Sequence, residues 1–264
     1  DKAFYRFSSN YQHEQGVTTG TDMDRLTARL NLDYNISDKL TMRADLSYAH
    51  GISNSSYDKH IRSTAYKKMP NMSVYEYDLS GNRTPAYFSP EINIQGKYKD
   101  TYNPVAMAEY GMYKTTTDRI ITKFNTTYDI IKDLKYTFDI AFDLNNTKRN
   151  WFLPQIATGL SSTNTLVNRA EDRDEDSYNI YINNKLTWHK NINDVHDIIL
   201  TLNYQSNDYR GLAYISKTSN SASSELTDPS IPANVNTAGL GLSSGSWQVR
   251  NVGLLGLVHY SLLD

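Results

Sequence analysis

The stretch RLTARLNLDYNISDKLTMRADLSYAH, residues 25–50, contains two runs of strict alternation about a tight polar turn. Leu26, Ala28, Leu30, Leu32, Tyr34 and Ile36 fall on one face, with Arg25, Thr27, Arg29, Asn31, Asp33 and Asn35 on the other. Past the turn, Leu40, Met42, Ala44, Leu46 and Tyr48 oppose Thr41, Arg43, Asp45 and Ser47. Successive side chains of a strand point to opposite faces, so a period of two kept this long predicts a strand hairpin rather than a helix. One of its faces is greasy and the other is studded with charge.

The pattern recurs along the chain. Residues 3–12 alternate, and so do residues 119–130, with Ile120, Phe124, Tyr128 and Ile130 on one face. Residues 134–145 set Leu134, Tyr136, Phe138, Ile140, Phe142 and Leu144 against Lys135, Thr137, Asp139, Ala141, Asp143 and Asn145. Residues 177–188 and 197–206 follow, and 247–263 reads as a last apolar strand whose period Gly253 and Gly256 blur. The count is about eight strands, each near the roughly 9–11 residues that cross a bilayer when tilted.

Composition narrows the classes. The chain has 264 residues and a net charge of −2, which gives no reason to expect nucleic acid as a partner. Cysteine is absent, so disulfides and thiolate metal sites are excluded. Mean hydropathy is −0.61, and no apolar run is long enough for a transmembrane helix. Barrel strands average their hydropathy away, because every second residue faces water. The 21 tyrosines suit either membrane-interface girdles or ligand-binding loops.

The connections alternate in length. Those at 37–39, 132–133 and 190–194 are tight, whereas 51–117, 146–176 and 207–246 are long, and the shorter 16–22 falls on the long-loop side. Outer-membrane barrels have this asymmetry, with short periplasmic turns and long extracellular loops. The expectation is an all-β, antiparallel transmembrane barrel segment, greasy face to lipid and charged face to a wet lumen. Such a wall satisfies its backbone hydrogen bonds between strands, as hydrocarbon demands. The alternative is a soluble sandwich or barrel with one solvated face. A complete eight-stranded barrel is a further alternative, but its small interior would suit the charged face badly.

Residues 5–51 resemble SusC/RagA-like TonB-dependent outer-membrane transporters: a strand ending in Gln15-Gly16, an Arg25…Arg29-Leu30-Asn31-Leu32-Asp33 strand, and a Ser37-Asp38-Lys39-Leu40 turn. YNPVAMAEYG (102–111) resembles the family's Asn-Pro segment. YDIIKDLKYTFDIAFD (128–143) resembles its strand–turn–strand, and NDVHDIILTLNYQSND (193–208) its His-containing strand, with Asn203 where a glycine is often seen. The resemblance implies part of a 22-stranded barrel, a SusD-like surface lipoprotein as cap, and import of an oligosaccharide or peptide driven through TonB. No plug or TonB box is found in residues 1–264, so the whole chain is read as one partial TonB-dependent-receptor β-barrel domain, with TonB engaged through a missing N-terminal part. A structural or adhesive outer-membrane barrel without import is the alternative function.

Candidate substrate contacts are the aromatic residues of the longest connection, Tyr57, Tyr66, Tyr75, Tyr77, Tyr87, Phe88 and Tyr98, with Trp151 in the next one. Such rings offer an apolar face, and the tyrosines add a hydroxyl. Arg25, Arg29, Asp33, Arg43, Asp45, Lys123, Asp139 and Asp143 are candidate lumen-lining residues. Cross-strand ion pairing is their simplest use. The EDRDED run, 171–176, clusters carboxylates but lacks calcium-loop spacing and reads as a solvated loop edge. No cofactor or metal is expected, and no catalytic residue is assigned. The six histidines are scattered without a zinc-type pair, and no nucleophile elbow or P-loop occurs.

Overall fold

The computed structural model describes residues 2–55, 58–89, 103–193, 195–229 and 241–262. The elements in order are β1 (Ala3–Gln15), β2 (Asp22–Ser37), β3 (Leu40–Asn54), α1 (Asp58–Tyr66), β4 (Tyr75–Tyr77) and β5 (Arg83–Tyr87). Then come α2 (Pro104–Tyr110), β6 (Met112–Ile131), β7 (Leu134–Leu153), α3 (Gln155–Thr158), β8 (Arg169–Ile192), β9 (His196–Thr218) and β10 (Gly241–Leu262). Eight strands pair antiparallel in the order β1-β2-β3-β6-β7-β8-β9-β10, and β4-β5 is a separate small ribbon. β1 and β10 are the two ends of the sheet, so the eight strands do not close on one another. The sheet is thus a wall segment and not a complete eight-stranded barrel.

Each of the eight expected strands is present, but they run further than the alternation alone indicates. β7 has 20 residues, β8 has 24, β9 has 23 and β10 has 22. The extra length lies at the long-loop ends, where both faces are polar. There the EDRDED run is not a loop edge, because residues 171–176 are paired strand in β8. Opposite charges across the ladder make this possible: Arg149 Nη1 lies 3.1 Å from Glu175 and Lys217 Nζ 3.0 Å from Glu171. Two of the tight turns stand where the sequence puts them, whereas the one expected at 190–194 is shifted, because Lys190, Asn191 and Ile192 are still paired strand in β8. Register slips by one residue beside the first two turns, between Asn35 and Ser37 and between Asp129 and Ile131.

Register carries the alternation across the wall. Phe7, Leu30, Leu46, Thr122, Phe142 and Ile180 follow one another in one ladder row. This row places the apolar residues of six strands on one face. That face is not covered by the chain itself: Leu30 is 41% exposed, Leu202 61% and Leu254 83%. A continuous exposed apolar surface of this kind is what a lipid-facing wall presents. The row ends at β9, where Ile180 faces Asp208 and Asp208 faces Arg250. On β9 the apolar band covers Ile198 to Tyr204, and above it Asp208 takes hydrogen bonds from Arg210 (2.9 Å), Arg250 (2.8 Å) and Gln248 (2.7 Å).

The buried core sits at the long-loop end rather than between sheets. Ile61, Tyr87, Ala106, Met107, Leu153 and Ala157 form it, joining the two long connections to the end of β7. Trp151 packs against this cluster from the polar face of β7.

Candidate functional site

The eight charged residues singled out above all lie on the polar face. Asp33, Arg43, Asn125, Asp139 and Asn183 form one ladder row, and Asn31, Asp45, Lys123, Ala141 and Tyr181 the next. Arg43 Nε is 2.9 Å from Asp33, and Asn31 hydrogen-bonds Asp45. Asn125 and Asn183 both donate to Asp139, at 2.5 and 2.9 Å. Arg43, Asp45, Lys123 and Asp139 come together, with Tyr181, around a cavity of about 400 Å³. Arg25 and Arg29 share the face but sit further toward the long-loop end of β2, opposite Gly51 and Ser47. Arg119 was not singled out from the sequence, yet it holds Asp143 through two parallel hydrogen bonds of 2.8 and 2.6 Å. Its signal is only legible once β6 and β7 are in register.

The same face changes character at β8. From Ser177 to Asn183, Thr201 to Ala213 and Gly245 to Leu257, its residues carry no charge. Asn179, Tyr181, Asn183, Asn203, Gln205, Asn207 and Tyr209 occupy it on β8 and β9, and Trp247, Val249, Asn251, Leu255 and Leu257 on β10. Tyr181, Gln205, Asn207 and Tyr209 have no side-chain hydrogen bond among the described residues, and Asn179, Asn183 and Asn203 each keep an unpartnered amide oxygen. Sequence reasoning missed this patch because it ranked charge above amides. The alternating Asn179-x-Tyr181-x-Asn183 and Asn203-x-Gln205-x-Asn207-x-Tyr209 runs were the available signal.

At the rim, the candidate aromatics divide. Tyr87 is buried, its ring 5.1 Å from Tyr75 and 6.0 Å from Tyr110, and its hydroxyl hydrogen-bonds Glu109. Burial, and then the Glu109 carboxylate, pushes that hydroxyl well above the ordinary tyrosine range. The Arg83 guanidinium lies 3.4 Å from the centre of the Tyr75 ring. Phe88 is half-buried, and its backbone pairs with Val74. Tyr66 and Tyr77 are open, at 86% and 59% exposure. Trp151 belongs to β7, with the Arg169 guanidinium 5.9 Å from its ring centre. Tyr57 and Tyr98 lie outside the described residues.

Asn103 explains the Asn-Pro segment. It caps α2 by accepting from the backbone N–H groups of Val105 (3.0 Å) and Ala106 (3.2 Å). Its amide donates to the carbonyls of Val74 (2.8 Å) and Phe88 (3.1 Å), and Pro104 fills the first turn, where no N–H is needed. One buried side chain thereby ties the β4-β5 ribbon to α2. Asn168 does similar work between the next two connections, accepting from Gln155 N (2.8 Å) and donating to the Ser221 carbonyl (2.9 Å). Gly159, with φ +66°, lies so close to Ser89 that a Cβ there would meet Ser89 Oγ at 2.0 Å.

Against known structures the wall is matched over its full length. The RagAB peptide transporter covers 100% of this chain with a TM-score of 0.70 at 14% identity, using 29% of its own chain. Its importer form in the closed-closed state gives 0.72 at 14% identity, again over 100% of this chain and 29% of that one. The ferric citrate transporter FecA gives 0.51 at 9% identity, over 98% of this chain and 30% of its own. In fold the chain is similar to a stretch of barrel wall in these outer-membrane transporters. In sequence, TonB-dependent receptor P3 of Formosa agariphila is 25% identical over 163 residues, which are 58% of this chain and 15% of that protein. No family model matches. The chain therefore spans under a third of the length of each of these proteins.

Proposed function

We propose that the chain forms part of the wall of an outer-membrane, TonB-dependent importer of an oligosaccharide or peptide, working with a SusD-like lipoprotein. The observation that carries this reading is the full-length likeness to the RagAB peptide transporter. The exposed apolar face, continuous through the register, supports it. In this reading the apolar face meets lipid and the polar face lines the lumen, including Arg25, Arg29, Asp33, Arg43, Asp45, Lys123, Asp139 and Asp143. The long connections stand outside the cell and the turns at 38–39 and 132–133 in the periplasm. Tyr66 and Tyr77 are the rim aromatics open to substrate or to the lipoprotein cap, while Tyr75, Tyr87 and Trp151 hold the rim in shape.

The test uses the full-length transporter in its own membrane. Ser80→Cys and Ser162→Cys, on exposed rim positions, are expected to react with an impermeant thiol reagent on intact cells, and Ser37→Cys is not. Uptake of the nutrient is expected to stop on loss of TonB or of the lipoprotein. Uptake that persists without TonB would favour the alternative, a barrel with a structural or adhesive role.

A further inference from the structure

We propose that the polar face of β9 and β10 carries a binding platform for a neutral carbohydrate, centred on Trp247. The proposal rests on the reading that this face lines the lumen. Trp247 faces Gly211 across the β9–β10 ladder. A Cβ built on Gly211 would meet three atoms of the indole, Cζ2 at 2.0 Å, Cε2 at 2.2 Å and Cη2 at 2.5 Å. The ring therefore lies directly on the glycine backbone instead of standing off the sheet. Only a residue without a side chain leaves room for that. A ring laid down this way keeps its other π-face free, and Trp247 is 43% exposed.

What surrounds the ring says what it takes. Along this face Tyr209 and Val249 stand one row from Trp247, Asn207 and Asn251 two rows and Gln205 three, and Tyr209, Asn207, Asn251 and Gln205 have no side-chain hydrogen bond among the described residues. Amides and phenols each combine a donor with an acceptor. That is the complement of sugar hydroxyls, which also do both. From the Trp247 row to the Gln205 row this face carries no Asp, Glu, Lys or Arg, and Glu175, one row toward the loop end, is already taken up by Arg149 (3.1 Å) and Arg173, so the patch offers little to a charged group. A pyranose presents a flat apolar face ringed by hydroxyls, and the patch presents a flat apolar ring with the Tyr209 phenol one row away and amides leading on from it. Its place toward the loop end of β10 sets it near the mouth rather than the periplasmic end.

The full-length transporter is titrated in detergent with a panel of neutral hexasaccharides of glucose, xylose, mannose and galactose. A neutral hexapeptide of Gly, Ser and Asn and an acidic oligogalacturonate are the comparisons. At least one neutral hexasaccharide is expected to bind. Trp247→Ala should weaken it about tenfold and Trp247→Phe by less, in line with loss of a stacking face. Gly211→Ala should weaken it too, since the new Cβ lifts the indole off the sheet. If Trp247→Ala fails to fold by thermal unfolding, Trp247→Phe and Gly211→Ala carry the test. Unchanged affinity in these variants overturns the platform. Binding of the hexapeptide or the acidic sugar alone, or of no neutral hexasaccharide, overturns the ligand class. TonB-dependent uptake, measured in parallel on the same variants, reports separately on the import reading.

Discussion

The two halves of the polar face differ in how their side chains are satisfied. From β2 to β7 many of the charged and amide groups answer one another, Arg43 with Asp33, Asn31 with Asp45, Arg119 with Asp143 and Asn125 with Asp139, while Arg25, Arg29 and Lys123 make no hydrogen bond or ion pair among the described residues. From β8 to β10 the central residues are uncharged, and Tyr181, Gln205, Asn207 and Tyr209, none of them buried, have no side-chain hydrogen bond among the described residues. A wall that satisfies itself contributes shape and register. A wall with hydrogen-bonding capacity to spare is available to something passing by. The apolar face on the other side is shared by both halves, so the difference is confined to the polar face, which the proposed function assigns to the lumen.

Substitutions on the shared face give the largest expected effect. Phe138→Arg in the charged half and Leu202→Arg in the amide half should each cost about 2–4 kcal/mol in folding titrations of the full barrel if near the bilayer midplane. Thr137→Arg, on the polar face next to Phe138, should be mild. A silent Leu202→Arg would break the comparison, by showing that the halves differ on both faces. Next is the rim. Asn103→Ala removes a helix cap and leaves two carbonyls unpaired, so local loss should be about 1–3 kcal/mol. It should appear as faster hydrogen exchange at Val105 and Ala106 with the sheet amides unchanged. Faster exchange throughout the sheet would show that the rim holds the wall together.

A double-mutant cycle on Arg119 and Asp143 should give a coupling of about 0.5–1 kcal/mol, because both side chains are partly exposed. A coupling of zero would remove the claim that the charged half stabilises itself. The smallest effect belongs to the amide half. Tyr209→Phe and Asn207→Ala should leave stability within about 0.5 kcal/mol, since no hydrogen bond of the protein is lost. Larger losses would show that these groups serve the fold and not a ligand.

The strands were legible because a period of two needs no tertiary information. Leu134 to Leu144 alternates so cleanly that β7 could be placed from its residues alone. The ends of the strands were not legible. Above the apolar band both faces are polar, and pairing there depends on cross-strand partners such as Arg149 and Glu175, 26 residues apart in sequence. The charged residues of the polar face were found individually, but their pairing depends on register. The amide patch had its signal in alternating Asn, Gln and Tyr, but the Trp247–Gly211 contact was invisible without register, because Trp247 reads as one more apolar residue until Gly211 stands beside it. Asn103 was noticed as part of a motif, whereas its double role required the β4-β5 ribbon to be in place.

The central claim is that this sheet is a barrel wall with lipid on one face and water on the other. Spin labels placed singly at each residue from Leu134 to Asn145 of the full-length transporter, reconstituted in bilayers, test it most directly. The account predicts that accessibility to oxygen dissolved in lipid peaks at Tyr136, Phe138, Ile140 and Phe142, while accessibility to a water-soluble nickel chelate peaks at Thr137, Asp139, Ala141 and Asp143. Accessibilities without a period of two, or with the two reagents favouring the same residues, would contradict it.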